Sequence, residues 1–206
     1  MSSLIVIPLM IIGAILALFI FWKLLKEDYE TEQIFALGFP ILLGGALGFL
    51  LTNLVLPSEK FGGTLILAGL FGWLRARRLK IPSLEVLEAV VPGILLFLAL
   101  ASGVALLKSV KLHYASLVDL VLAITTLVLF IYLKQNYRKF LWYQSGKIGF
   151  ASLLSSFFYL IVRFIIALFL PHVLILGGRL MVLAIGGPLA LASLAMLYLQ
   201  SIRRKK

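Results

Sequence analysis

The segment Ile148–Leu170, IGFASLLSSFFYLIVRFIIALFL, decides how this chain is read. It is apolar and long enough to cross a bilayer, whose hydrocarbon core of about 30 Å takes roughly 20 residues of helix. Yet it carries Arg163, with Tyr159 one helical turn before it. A charge at the middle of a membrane helix costs roughly 2.5–3.5 kcal/mol on insertion scales, so it is retained where it has a partner or a task. No other basic residue lies inside an apolar segment in this way. Any function the sequence carries is therefore expected near Arg163.

The surrounding composition agrees with a membrane environment. The 206 residues are 63% hydrophobic and 13% charged, with a mean hydropathy of +1.14. Soluble domains are roughly half apolar and about a quarter charged. The chain reads as one integral membrane domain over residues 1–206. It has no cysteine, which excludes disulfides, thiolate chemistry and sulfur-ligated metals. A net charge of +11 would suggest nucleic acid in a soluble protein. Here the basic residues fall in short loops between apolar runs and act as topology signals, so no nucleic-acid partner is expected. The N-terminus lacks a basic leader and a small-residue cleavage site before Trp22-Lys23, and reads as a retained first helix.

Seven spans are expected: about Leu4–Leu25, Ile34–Leu56, Phe61–Leu74, Leu84–Leu107, Ala115–Leu133, Ile148–Leu170 and Leu180–Leu199. The third is short, so either Pro57–Lys60 dips into the membrane or Arg75 snorkels back to the surface. One side then holds Lys23, Lys26, the Arg75–Lys80 cluster, Lys134, Arg138, Lys139, Lys147 and the Arg203–Lys206 tail. The other holds Lys60, Lys108, Lys111 and Arg179. The positive-inside rule places the N-terminus outside and the C-terminus in the cytoplasm. The expected fold class is an all-α polytopic membrane helix bundle.

That topology fixes depth. Arg163 lies seven residues before the outer end of span six, about 10 Å below the surface at 1.5 Å per residue. Asp119 lies about 6 Å below the same surface on span five. The Asp119 carboxylate and the one arginine within apolar spans share one half of the bilayer, and such charges usually pair. Glu85 and Glu88, near Arg77, Arg78 and Lys80, read as surface pairs. Gly44, Gly45 and Gly48 form a small-residue face for helix packing. Gly62-Gly63 open the short third span, where exposed backbone N–H groups could meet an anionic headgroup. Gly186-Gly187-Pro188 interrupt span seven. His113 and His172 have no neighbouring ligand, so no metal is expected, and no nucleophile elbow, Walker loop or His-Glu-x-x-His motif occurs. Ser152, Ser155 and Ser156 read as helix-contact residues.

From span two onward, over roughly Glu32–Leu199, the layout resembles prolipoprotein diacylglyceryl transferase, the bacterial membrane enzyme that lipidates the lipobox cysteine of preprolipoproteins. ETEQIFALGFPILLGGALGFL resembles the family's second helix, and FGGTLILAGLFGWLRARRLKIPSLEVLEAVVPGI its Phe-His-Gly-Gly stretch, basic loop and following helix. SLVDLVLAITTLVLFIYLK is similar to the Leu-Tyr-Glu helix, GFASLLSSFFYLIVRF to Gly…Tyr-x-x-x-Arg-Phe, and GGRLMVLAIGGPLALASLAMLYL to the closing Gly-Gln-x-x-Ser helix. The resemblance implies a protein of the bacterial cytoplasmic membrane. It would act on phosphatidylglycerol or another anionic phospholipid and on a prolipoprotein, without a cofactor. Tyr159 and Arg163 stand at the family's functional Tyr and Arg, and Gly62 and Gly63 at the glycines after its catalytic histidine.

The departures are chemical. The histidine is Phe61, the arginine of Gly-Gly-Arg-x-Gly is Ala46, and Ala101-Ser102-Gly103 stand in the region of an absent Gly-Arg-x-Gly-Asn-Phe-x-Asn signature. The Glu of Leu-Tyr-Glu is Asp119, the Glu after Arg-Phe is Ala167, and the Gln of the last helix is Arg179. Moving diacylglycerol to a thiol needs a base and cationic donors on the departing phosphate. Three readings follow. A transferase would use Arg163, Tyr159 and Asp119 catalytically, with Gly62, Gly63, Arg179 and Lys60 at the headgroup. A non-catalytic relative would keep only lipid or precursor binding. In the third, a structural or transport-type protein, Arg163–Asp119 is a buried pair.

Overall fold

The computed structural model describes residues 3–55, 60–108, 114–136, 149–169 and 182–202. Every regular element among them is helical: α1 (Ser3–Leu25), α2 (Thr31–Val55), α3 (Lys60–Arg78), α4 (Ser83–Lys108), α5 (Tyr114–Asn136), α6 (Phe150–Phe169), a π-turn at Val182–Gly186 and α7 (Gly187–Ile202). Helix is the form in which a spanning segment satisfies its own backbone where no water is available. Among the described residues, five stretches are long and apolar enough to cross a membrane: Thr31–Thr52, Ser83–Leu107, Ser116–Asn136, Phe150–Phe169 and Val182–Ser201. A shorter apolar stretch, Ile11–Leu25, lies on α1. The chain is thus a membrane-compatible helix bundle.

Helix α4 packs against α1, α5 and α6. Two packed cores result. One joins Leu95, Leu98, Leu122, Phe130, Leu153 and Tyr159 across α4, α5 and α6, and reaches Leu197 of α7. The other joins Phe21, Leu25, Ile34, Leu37, Ala76, Ile81 and Ala89 where α1 and α3 end and α2 and α4 begin.

α2 and α3 form the tightest pair, and glycine makes it so. A Cβ on Gly44 would stand 2.6 Å from the Leu67 carbonyl oxygen, and one on Gly48 would overlap the Gly63 carbonyl. A Cβ on Gly63 would run into the Thr52 hydroxyl, which itself donates to the Gly48 carbonyl at 2.5 Å. The small-residue face expected on this helix is therefore a backbone-to-backbone contact. α3 runs on through the basic residues to Arg78, with Arg75 half-buried. Its Nε donates to the Ala36 carbonyl of α2 at 3.0 Å. That carbonyl has no α-helical donor, because the residue four positions on is Pro40, which lacks an N–H.

The two glutamates expected as surface pairs are placed otherwise. Glu85 accepts a hydrogen bond from Tyr29 in the α1–α2 turn. Glu88 is buried, 8% exposed, and its Oε2 accepts the Gly149 N–H at 2.6 Å. Its Oε1 lies 3.9 Å from Lys134 Nζ on α5. Gly149 has φ of +103°, a conformation open to glycine, and its carbonyl accepts from Leu153 N and Ser152 Oγ. One carboxylate thus ties α4 to α5 and to the start of α6. At the far end, Pro188 leaves the Ala184 carbonyl without its usual donor, and the chain winds as a π-turn before α7. Gly187 then lets α7 approach Phe164 of α6, 2.8 Å from where a Cβ would be.

Three outcomes are expected. Gly48→Ala should destabilise the protein by about 1–3 kcal/mol through overpacking, read by its unfolding in denaturing detergent. Gly69→Ala, on the same hairpin with open space around it, should be neutral or stabilise by up to ~1 kcal/mol from helix propensity. Partial burial, then the Glu85 carboxylate, push the Tyr29 hydroxyl from 10.0 up to about 12. A raised phenol value means the folded state favours the neutral form. Its contribution is complete below pH 10 and is lost as pH rises toward 12. Tyr29→Phe should flatten the stability profile over that window.

Candidate functional site

α6 is built inside out relative to a water-facing helix. Ser152, Ser155, Tyr159, Arg163 and Ala167 recur every three or four residues and are all buried, while Ile165, Leu168 and Phe169 are exposed. The polar stripe faces the bundle because the lipid side offers nothing to hydrogen-bond. Gly149, held by Glu88, sets where this stripe begins.

At Arg163 the stripe meets α5. Arg163 Nη2 lies 3.4 Å from Asp119 Oδ1, and both side chains are buried, 8% and 2% exposed. Arg163 Nη1 donates to the Tyr159 hydroxyl at 3.2 Å, and the guanidinium carbon stands 5.7 Å from the Tyr159 ring centre. One side chain thus makes an ion pair to a neighbouring helix and a hydrogen bond within its own. The ion-pair separation is wider than the 2.7–2.9 Å of a tight charge-assisted bond.

Other hydroxyls share this interior. Ser116 lies one turn before Asp119 on the same face of α5, Ser155 one turn before Tyr159, and Ser102 is buried on α4. Among the described residues their oxygens have no hydrogen-bond partner. Sequence reasoning misses Ser102 and Ser116 as members of this interior, although the three-residue step from Ser116 to Asp119 is a usable signal. On the outer side of the same α5–α6 seam, Leu117, Val118, Val121, Leu122, Thr125, Val162 and Ile166 line an apolar groove of about 350 Å³.

The structure brings Arg163, Tyr159 and Asp119 together. Gly63 is engaged on α2, against Gly48 and Thr52. Gly62 lies in the first turn of α3 and Lys60 is its first residue. Arg179, His113 and His172 lie outside the described residues. Among the described residues there is no group of three or more His, Cys, Asp or Glu able to hold a metal. No protein-family model, curated protein or solved structure matches the chain.

Chemically, the cluster is a buried cation with a carboxylate opposite and a phenol beside it. An anion that uses Arg163 must compete with Asp119. Arg163→Ala should cost about 3–5 kcal/mol, because it strands a buried carboxylate. Asp119→Ala should cost a similar amount by stranding the guanidinium. The double variant should recover much of the loss, a coupling that a thermal double-mutant cycle measures.

Proposed function

We propose that this chain is a seven-span, N-out multi-pass protein of the bacterial cytoplasmic membrane, of the prolipoprotein diacylglyceryl transferase type, with Arg163 binding a phospholipid headgroup phosphate. The observation that carries this reading is the buried Arg163–Tyr159 pair on a polar stripe between apolar helices. A phosphodiester is the anion most abundantly available to an arginine at that depth. The resemblance adds the donor, phosphatidylglycerol, and the acceptor, the lipobox cysteine of a prolipoprotein. Gly62, Gly63, Lys60 and Arg179 are the further headgroup candidates.

In the transfer, the cysteine sulfur forms a bond to the glycerol carbon of the diacylglyceryl group. The bond from that carbon to the phosphate oxygen breaks, and phosphoglycerol leaves with the electron pair. Arg163 would stabilise the charge gathering on the departing phosphate, with Tyr159 orienting the guanidinium. The thiol proton needs a base, and Asp119 is the carboxylate at hand.

A second reading has a specific observation in its favour. Phe61 stands where the resemblance expects a histidine, and a phenyl ring takes no proton. Asp119 is meanwhile engaged on Arg163. Such a protein would bind the lipid or the precursor without turnover.

The two separate in one assay: purified protein in phosphatidylglycerol micelles with a lipobox peptide, read by mass spectrometry. Transfer predicts diacylglyceryl on the cysteine, lost in Arg163→Ala and reduced at least tenfold in Tyr159→Phe, about 1.4 kcal/mol of transition-state binding. A folded protein that binds the lipid yet forms no product, beside an active transferase control, supports the second reading. Lipid binding that survives Arg163→Ala unchanged removes both.

A further inference from the structure

The turn from α3 to α4 combines a strained lysine with two exposed arginines. We infer that Arg77, Arg78 and Lys80 form a surface site for the headgroup of an anionic phospholipid, separate from Arg163. Glu88, in the second turn of α4, ties this end of the bundle to the start of α6. Arg163 lies thirteen residues after the start of α6 at Phe150, about 20 Å along its axis.

Lys80 has φ of +58°, the left-handed conformation that glycine adopts without strain. The surrounding bonds are those of a Schellman stop. Lys80 N–H donates to the Arg77 carbonyl at 3.2 Å, and Ile81 N–H donates to the Ala76 carbonyl at 2.9 Å. Ile81 and Ala76 are buried in one core, and Pro82 follows. Such a stop favours glycine at position 80, yet an exposed lysine stands there. Strain held at an exposed residue points to a task for its side chain.

The charge beside it is also unpaired. Arg77 and Arg78 are exposed. The two carboxylates that begin α4 are engaged elsewhere: Glu85 accepts from Tyr29, and Glu88 from Gly149 with Lys134 near it. Among the described residues, no carboxylate lies within ion-pair distance of Arg77, Arg78 or Lys80. Glu27, Asp28, Glu30 and Glu32 lie in and beside the α1–α2 turn, which restricts an anion to the α3–α4 side.

The anion is a lipid because of what adjoins the cations. The Arg77 guanidinium lies over the Trp73 ring, 4.4 Å from its centre, and Trp73 is exposed. Tryptophan at the edge of an apolar helix sits at the headgroup level of a bilayer, and the stack holds the guanidinium at that height. Leu70 and Leu74, exposed within two turns before Arg77, offer apolar surface that acyl chains need and a soluble anion does not.

The test reads the lipid next to Trp73. Trp22→Phe and Trp142→Phe leave Trp73 as the sole tryptophan, and the chain is reconstituted in phosphatidylcholine vesicles containing phosphatidylglycerol. Quenching by brominated phosphatidylglycerol is compared with quenching by brominated phosphatidylcholine. Phosphatidylglycerol should be enriched at Trp73 on the order of tenfold, equivalent to about 1.4 kcal/mol. Lys80→Gly should lower that enrichment at least threefold without lowering thermal stability in lipid-free detergent, a combination that a purely structural lysine does not give. Lys23→Gln, the same loss of charge on α1, should leave it unchanged. Native mass spectrometry of the unaltered chain and of Lys80→Gly, counting retained phosphatidylglycerol, reads the same difference without touching a tryptophan.

Equal quenching by the two brominated lipids overturns the inference and leaves the cluster a topology signal alone. So does an unchanged enrichment in Lys80→Gly, or an equal fall in Lys23→Gln. Loss of the enrichment when inorganic phosphate is added at constant ionic strength also overturns it, because the cluster then takes a soluble anion. Arg163→Ala should leave the quenching of Trp73 as it is, so the two lipid sites stand or fall separately.

Discussion

A bilayer offers a buried charge no water, and the Arg163–Asp119 pair is where this chain meets that constraint. The guanidinium sits on α6, the carboxylate on α5, and neither can face lipid without a cost of several kcal/mol. The rotation of both helices follows. α6 must turn its polar stripe inward, which places Tyr159 and Ser155 inside and Ile165 and Phe169 outside. α5 must turn Asp119 and Ser116 toward α6, which leaves Val121 and Val128 on the outer face. Phe130, Leu153 and Phe150 pack in the same half of the bundle.

A second buried carboxylate does related work nearer the start of α6. Glu88 receives the Gly149 N–H and approaches Lys134, so polar groups link α4 to α5 and α6 at this level, as Arg163 and Asp119 link α5 to α6 at the other. Apolar contacts in a membrane discriminate weakly between rotations of a helix, because lipid tails are as apolar as leucine. A charge or a missing donor discriminates strongly. The Arg75 bond to the carbonyl freed by Pro40 follows the same principle in the α2–α3 pair.

Much of the site is legible in the amino-acid sequence. Depth arithmetic puts Arg163 and Asp119 near a common level, and Tyr159 stands four residues before Arg163 on the same face. Other residues are not legible there. Glu88 lies within reach of Arg77, Arg78 and Lys80 along the chain, yet it turns to Gly149, sixty-one residues away. Gly63 has the spacing of an open helix mouth, and it lies against Gly48. Ser102 and Ser116 have the pattern of ordinary small residues, and they are among the most buried polar groups in the bundle.

The division has a physical cause. Composition and hydropathy determine that the chain is helical and suited to a membrane, since a spanning segment must satisfy its own hydrogen bonds. Spacing along a helix, at 1.5 Å per residue, determines the height of each charged group. Height alone names no partner. Which groups meet depends on the direction each helix face takes around its axis, and that is settled when glycines, prolines and buried charges dock against other helices. The sequence alone determined that Arg163 needs a partner at a certain depth. The tertiary structure decided that Asp119 and Tyr159 supply it together, and that the spare hydroxyls lie on the same buried faces.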